Sequence, residues 1–150
     1  MISQTAEYAL RAMTFLAMRA SAATGQEIAD ITKVPAGYLS KIMQQLVKAR
    51  LLHSQRGIGG GFVLARPADA ISILDVINAV DPIKRLESCP LGIQSHGFNL
   101  CPLHKRLCDA IAGAEGAFAA STLSELIEES KSPACKSVPL TPHQANPTNT

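Results

Sequence analysis

Aromatic residues are scarce in this 150-residue chain: they make up 4% of it, with four Phe, two Tyr and no Trp. Strands of a β-sandwich draw on aromatic and β-branched side chains, whereas Ala, Leu and Ile dominate here, so helices packed on helices are favoured over an all-β fold. No apolar run approaches the ~18 residues that cross a bilayer, because Glu7, Arg11 and Arg19 interrupt the greasiest stretch. The N-terminus also lacks the charged, apolar, small-residue order of a secretory signal, which makes the cytoplasm the expected compartment and no membrane partner expected. Catalytic motifs are missing too. There is no Gly-x-Ser-x-Gly elbow, no His-Glu-x-x-His and no dinucleotide fingerprint, so neither an enzyme nor a small-molecule substrate is expected. What is present suffices for one core: 47% hydrophobic and 17% charged residues in a chain of single-domain length.

The net charge of +2 hides an asymmetry. Residues 1–66 carry eight Lys/Arg against three acids, +5, whereas residues 67–150 carry six against nine, −3. A basic N-terminal half points to an anionic partner, nucleic acid first, with a merely solvated face as the plain alternative. Apolar residues Ala6, Ala9, Leu10, Met13, Leu16 and Ala17 recur at helical spacing over residues 4–20. Thr24 and Glu27 form a capping-box pattern that opens a second helix running to about Thr32. A third begins around Pro35, with Leu39, Ile42, Met43, Leu46 and Val47 on one face and Gly37, Ser40, Lys41, Gln44 and Lys48 on the other.

After Leu51 the period becomes two, is broken by Gly57-Ile58-Gly59-Gly60-Gly61, and resumes at Phe62, which predicts a hairpin with a glycine-rich tip. A phosphate-cradling loop fails as a rival because no Gly-Lys-Ser/Thr follows. Ser72 and Asp75 open a short helix ending near Asp81-Pro82, and residues 83–101 show no period. Cys101-Pro102 begins a long helix whose stripe Leu103, Leu107, Ile111, Ala114 and Phe118 exceeds what so small a core can cover, which points to a partner helix from a second copy. Thr122 and Glu125 cap a last short helix, and from Lys131 onward a proline-rich tail without aromatics predicts flexibility.

Three helices and a ribbon make a winged helix-turn-helix, whose third helix enters the major groove. Gln44 and Gln45 can pair with an adenine edge, Lys41 and Lys48 can reach phosphates, Gly37 and Ser40 permit close approach, and Tyr38 can donate to a phosphate. At the hairpin tip Arg56 stands beside the bare Gly59 and Gly60, a form suited to a minor groove.

The runs Ile2-Ser3-Gln4-Thr5-Ala6-Glu7-Tyr8-Ala9-Leu10-Arg11, Val34-Pro35-Ala36-Gly37-Tyr38-Leu39-Ser40-Lys41 and Arg56-Gly57-Ile58-Gly59-Gly60-Gly61-Phe62 resemble the Rrf2 family of bacterial regulators, over roughly residues 1–130. That family includes nitric-oxide-sensitive and iron–sulfur-cluster regulators. The resemblance implies a mainly α, homodimeric winged-helix transcriptional regulator, read as a repressor, with Arg56 in the minor groove and a dimer helix at about Pro102–Ala120. The expected division is a DNA-binding head at 1–81, a cysteine-containing sensor loop at 82–101, a dimer helix and final helix at 102–130, and a tail at 131–150.

In a reducing compartment the four cysteines, Cys89, Cys101, Cys108 and Cys135, are expected as thiols, metal ligands or redox sensors rather than disulfides. Cluster-binding relatives carry three loop cysteines. Cys89 and Cys101 match the outer two, but Ser95 stands near the middle position. His104, three residues after Cys101, sits where a cluster regulator of the family places a histidine, and Glu7 where some relatives recruit a carboxylate from the partner subunit. His96 and Cys108 complete the candidate donors for a [2Fe–2S] centre. Plainer roles stand beside each: a buried filler for Cys108, a solvated ring for His96 or His104, an ion pair with Arg11 for Glu7. A cluster-free thiol pair, a zinc site or a winged helix used for protein contacts remain alternatives.

Overall fold

The computed structural model describes residues 2–19, 21–88, 91 and 101–131. Six helices and one two-stranded sheet follow in order: α1 (Gln4–Arg19), α2 (Gly25–Thr32), α3 (Ala36–Lys48), β1 (Leu52–Gln55), β2 (Gly61–Leu64), a 3₁₀ turn (Ala68–Ala70), α4 (Ile73–Val80), α5 (Pro102–Ala120) and α6 (Leu123–Ser130). The fold is mainly α with a small β wing. None of the described helices is long and apolar enough to cross a membrane.

Helix α1 is the axle of the core. Its buried face is small, Ala6, Ala9 and Ala12 beside Met13 and Leu16, so α2, α3, α4 and α6 all pack closely against it. All three capping patterns close as complete boxes, Thr24 with Glu27, Ser72 with Asp75 and Thr122 with Glu125. Bonds from the Thr24 backbone and hydroxyl, with Arg19 nearby, hold the Glu27 carboxyl below the ordinary glutamate range. Helix α3 starts one residue later than a proline in its first turn would imply: Pro35 is the cap, and its carbonyl accepts from the Tyr38 and Leu39 amides at 3.0 Å. It ends in a Schellman arrangement, with Leu51 N–H bonded to Leu46 O, Arg50 N–H to Val47 O, and Arg50 at φ 59°.

The hairpin pairs Leu52 with Leu64, His53 with Val63, Ser54 with Phe62 and Gln55 with Gly61. Its root is pinned to the head by a bridge that the local pattern does not announce: Ala23 and Phe62 exchange both backbone bonds, at 3.1 and 2.8 Å. Gly61 makes that approach possible, since an added Cβ would lie 2.3 Å from the Ala23 carbonyl oxygen.

Helix α6 follows α5 in sequence, returns to α1 and contributes the fully buried Leu123 to the main core. Backbone bonds Ile73 N–H to Ser121 O and Leu123 N–H to Ile71 O fasten its start beside α4. The α5 stripe is divided: Phe118 packs on the core, but Leu103 and Leu107, near the N-terminal end of the helix, stay 42% and 38% exposed. The expected flexible tail lies almost wholly outside the described residues.

Candidate nucleic-acid interface and sensor segment

Period alone decides how α3 presents itself. Leu39, Ile42, Met43 and Leu46 are buried, so Gly37, Tyr38, Ser40, Lys41, Gln44 and Lys48 are exposed on the opposite side. Gln45, predicted beside Gln44, is half-buried at the edge of that face. Tyr38 is 63% exposed, and its ring meets Tyr8 of α1 edge-on, with centroids 6.4 Å apart. Tyr8 in turn accepts a hydrogen bond on its hydroxyl from Gln4 at 3.0 Å, and the Arg11 guanidinium lies 5.7 Å from its ring centre. The sequence reading missed Tyr8, because a lone aromatic on a helix announces no partner.

Charge around α3 is more one-sided than the totals suggest. No Asp or Glu occurs between Asp30 and Asp69, a window that contains six Lys/Arg, all of α3 and the whole wing. Of the eight basic residues in the head, Arg11, Arg19 and Arg66 are paired with Glu7, Glu27 and Asp75. Among the described residues no acid pairs with Lys33, Lys41, Lys48, Arg50 or Arg56. Counting acid-free windows in the sequence would have found this field.

At the wing tip Arg56 and Gly59 are exposed, Gly57 and Gly59 take φ 97° and 74°, and Gly60 N–H closes the turn on Gly57 O at 3.0 Å. Gly60 has no room for a side chain: a Cβ would stand 2.5 Å from Gln55 O. Its glycine is therefore explained by the turn itself.

The sensor candidates divide. Cys101 is the N-cap of α5, buried, its Sγ accepting from the His104 amide at 3.4 Å. His104 is only 7% exposed, with Nε2 3.3 Å from the Leu86 carbonyl oxygen. Next to it on this side of α5, Cys108 is half-buried, and Glu115 pairs with Arg85, which holds the Arg85 guanidinium above its ordinary range. The segment after α4 thus lies along α5. Glu7 is exposed and bonded to Arg11. Cys89, His96 and Cys135 fall outside the described residues. Among the described residues no three His, Cys, Asp or Glu side chains gather closely enough to hold a metal ion.

Residues 2–129 match the Rrf2 family, described as iron-dependent transcriptional regulators. The chain belongs to the Rrf2 family. An HTH-type transcriptional regulator of Aquifex aeolicus (strain VF5) is 32% identical over 129 residues, 83% of this chain and 90% of that protein. Among solved structures, T. potens IscR superposes with a TM-score of 0.72 at 22% identity, covering 87% of this chain and 88% of that one. The oxidized form of Staphylococcus aureus CymR does so with a TM-score of 0.67 at 27% identity, covering 85% and 96%. This Rrf2 chain is therefore a helix-turn-helix transcriptional regulator, of a family that binds DNA and comprises regulators rather than enzymes.

Proposed function

We propose that this Rrf2 protein is a homodimeric repressor in which residues 1–81 read a two-fold operator, residues 82–101 sense a redox or nitric oxide signal, and the 102–130 region carries the dimer contact. The observation that carries the DNA-reading part is the outer face of α3, apolar side inward and Gly37, Tyr38, Ser40, Lys41 and Gln44 outward, inside an acid-free window. Gln44 takes the base edge, Lys41 and Lys48 take phosphates, and Arg56 with Gly59 follows the minor groove. Gln45 contributes from the margin.

The iron in the family description is matched here by a partial donor set. Cys101 and His104 would hold a [2Fe–2S] centre together with Cys89, and the fourth donor would come from Glu7 of a second copy, His96 or Cys108. Such a centre supplies an oxidisable, nitric-oxide-reactive group. What the protein supplies is the lever: Cys101 caps α5, and the segment it terminates is fastened to α5 through Leu86 and Arg85. A cluster-free thiol sensor is the second reading, favoured by the likeness to an oxidized CymR. Zinc held by Cys101 and His104 is the third.

The test of DNA reading is salt. Each phosphate neutralised by a cation releases counterions, so Lys41→Ala should weaken binding to every sequence and shallow the log–log salt slope by about one unit. Gln44→Ala should instead relax discrimination at one base pair, by about 1–3 kcal/mol. Salt-independent binding by the wild type would remove the proposal. A visible spectrum of anaerobically purified protein, with iron, sulfide and zinc analysis, separates the three sensor readings.

A further inference from the structure

Ile58 is the most exposed large apolar side chain among the described residues, at 110% of its reference area. Exposure alone means little, since single surface hydrophobics are ordinary. Its mounting is not ordinary. Ile58 sits at the apex of the wing between two glycines held at positive φ, Gly57 and Gly59, in a turn closed by the bond from Gly60 N–H to Gly57 O. Such apices are normally polar, because a polar side chain satisfies or solvates the turn. The ribbon beneath it is fixed rather than loose, its root tied to Ala23 through both backbone bonds of Phe62.

We propose that Ile58 is an apolar wedge that enters the minor groove of the operator ahead of Arg56. This rests on the DNA-reading function proposed above and adds a contact to it. Three observations select the groove as the occupant. Glycines on either side leave the apex narrow, which suits a slot about 6 Å wide. The neighbouring Arg56 is unpaired among the described residues, and no acid lies within the wing, so the tip is drawn toward phosphates. The other large exposed apolar residues, Ile2, Met18, Ile31, Tyr38, Leu91, Leu103 and Leu107, lie outside the hairpin. Ile58 is thus alone there, too small a patch for a protein interface but enough for a wedge.

The experiment uses the full chain and a duplex of about 30 base pairs recovered from a random pool by selection on the wild-type protein. Ile58→Ser should lower affinity roughly five- to tenfold, in line with losing part of one buried branched side chain. It should leave the salt slope unchanged, because no phosphate contact is lost, and should weaken hydroxyl-radical protection in the minor groove at the wing positions. Ile58→Leu should restore most of both. Circular dichroism should match the wild type, the side chain being wholly outside the core. If Arg56→Ala lowers affinity and the wild type protects the minor groove, yet Ile58→Ser binds and protects like the wild type, the wedge is overturned while the winged DNA reader stands. If neither substitution matters and the minor groove is unprotected, the wing reading fails and the wedge fails with it. A change of oligomeric state in Ile58→Ser without a change in DNA affinity would reassign the side chain to a protein contact and also overturn the proposal.

Discussion

At Gly61 two demands meet in one residue: φ stands at +142°, and the space where a Cβ would go is filled by the Ala23 backbone. Gly57 shares the positive φ, at +97°, but its side faces open space. Gly57→Ala should therefore cost only the backbone penalty, about 1 kcal/mol, whereas Gly61→Ala must also push the wing root off Ala23, for about 2–3 kcal/mol in all. Urea denaturation of the two variants checks the difference, and equal costs would mean that the Ala23–Phe62 bridge yields without penalty. Only the first demand was legible in the sequence, where a run of glycines between alternating residues announces a turn. The second depends on a residue 38 positions earlier, and no local pattern encodes such a pairing. Tyr8 is similar: its edge contact with Tyr38 exists because α1 and α3 cross there, a fact of packing rather than of spacing.

Among the elements, those with a strong period and a cap were readable. Three capping boxes gave the starts of α2, α4 and α6, and the 3.6 period gave the two faces of α3, which is why the proposed DNA-reading face could be drawn from sequence. The sensor could not be drawn that way, because donors are gathered by tertiary approach and residues 83–101 carry no period. Helix α5 shows what this hides. Cys101, a candidate ligand, is also the cap of its helix, since its Sγ accepts the His104 amide. Two roles on one atom can be separated by substitution. Cys101→Ser keeps a good capping oxygen and removes the sulfur, whereas Cys101→Ala removes both. The expected outcome is that both variants lose the response of DNA binding to nitric oxide or an oxidant, while only the Ala variant also loses stability, by about 1 kcal/mol in thermal or urea denaturation. A Ser variant that still responds would place the sensor elsewhere.

At the scale of the whole molecule, α5 carries the exposed apolar pair Leu103 and Leu107. It packs on α4, Phe118 near its C-terminal end joins the core, and Arg85 and Leu86 reach it at Glu115 and His104. Leu103 and Leu107, one turn apart, remain exposed. A second copy related by a two-fold axis would lay the same pair against itself, so each leucine supplies what its equivalent lacks. Burying them there also places the capped end of α5, with Cys101 and His104, at the edge of the subunit contact. In the proposed dimer a change at that end would alter the angle between two heads, and a signal would shift the DNA-competent population only by its differential affinity for the two arrangements. Leu107→Glu tests this arrangement directly. A carboxylate forced into the apolar contact costs about 3 kcal/mol or more, which raises the dimer dissociation constant by more than about a hundredfold. Because Leu107 lies outside the core, the monomer should stay folded, with unchanged helical signal. Sedimentation at micromolar concentration should show a dimer for the wild type and a monomer for the variant, and the variant should bind an isolated half-site about as well as the wild type does while losing the full operator. A wild-type monomer under those conditions would remove the two-fold arrangement and leave each head to read DNA alone.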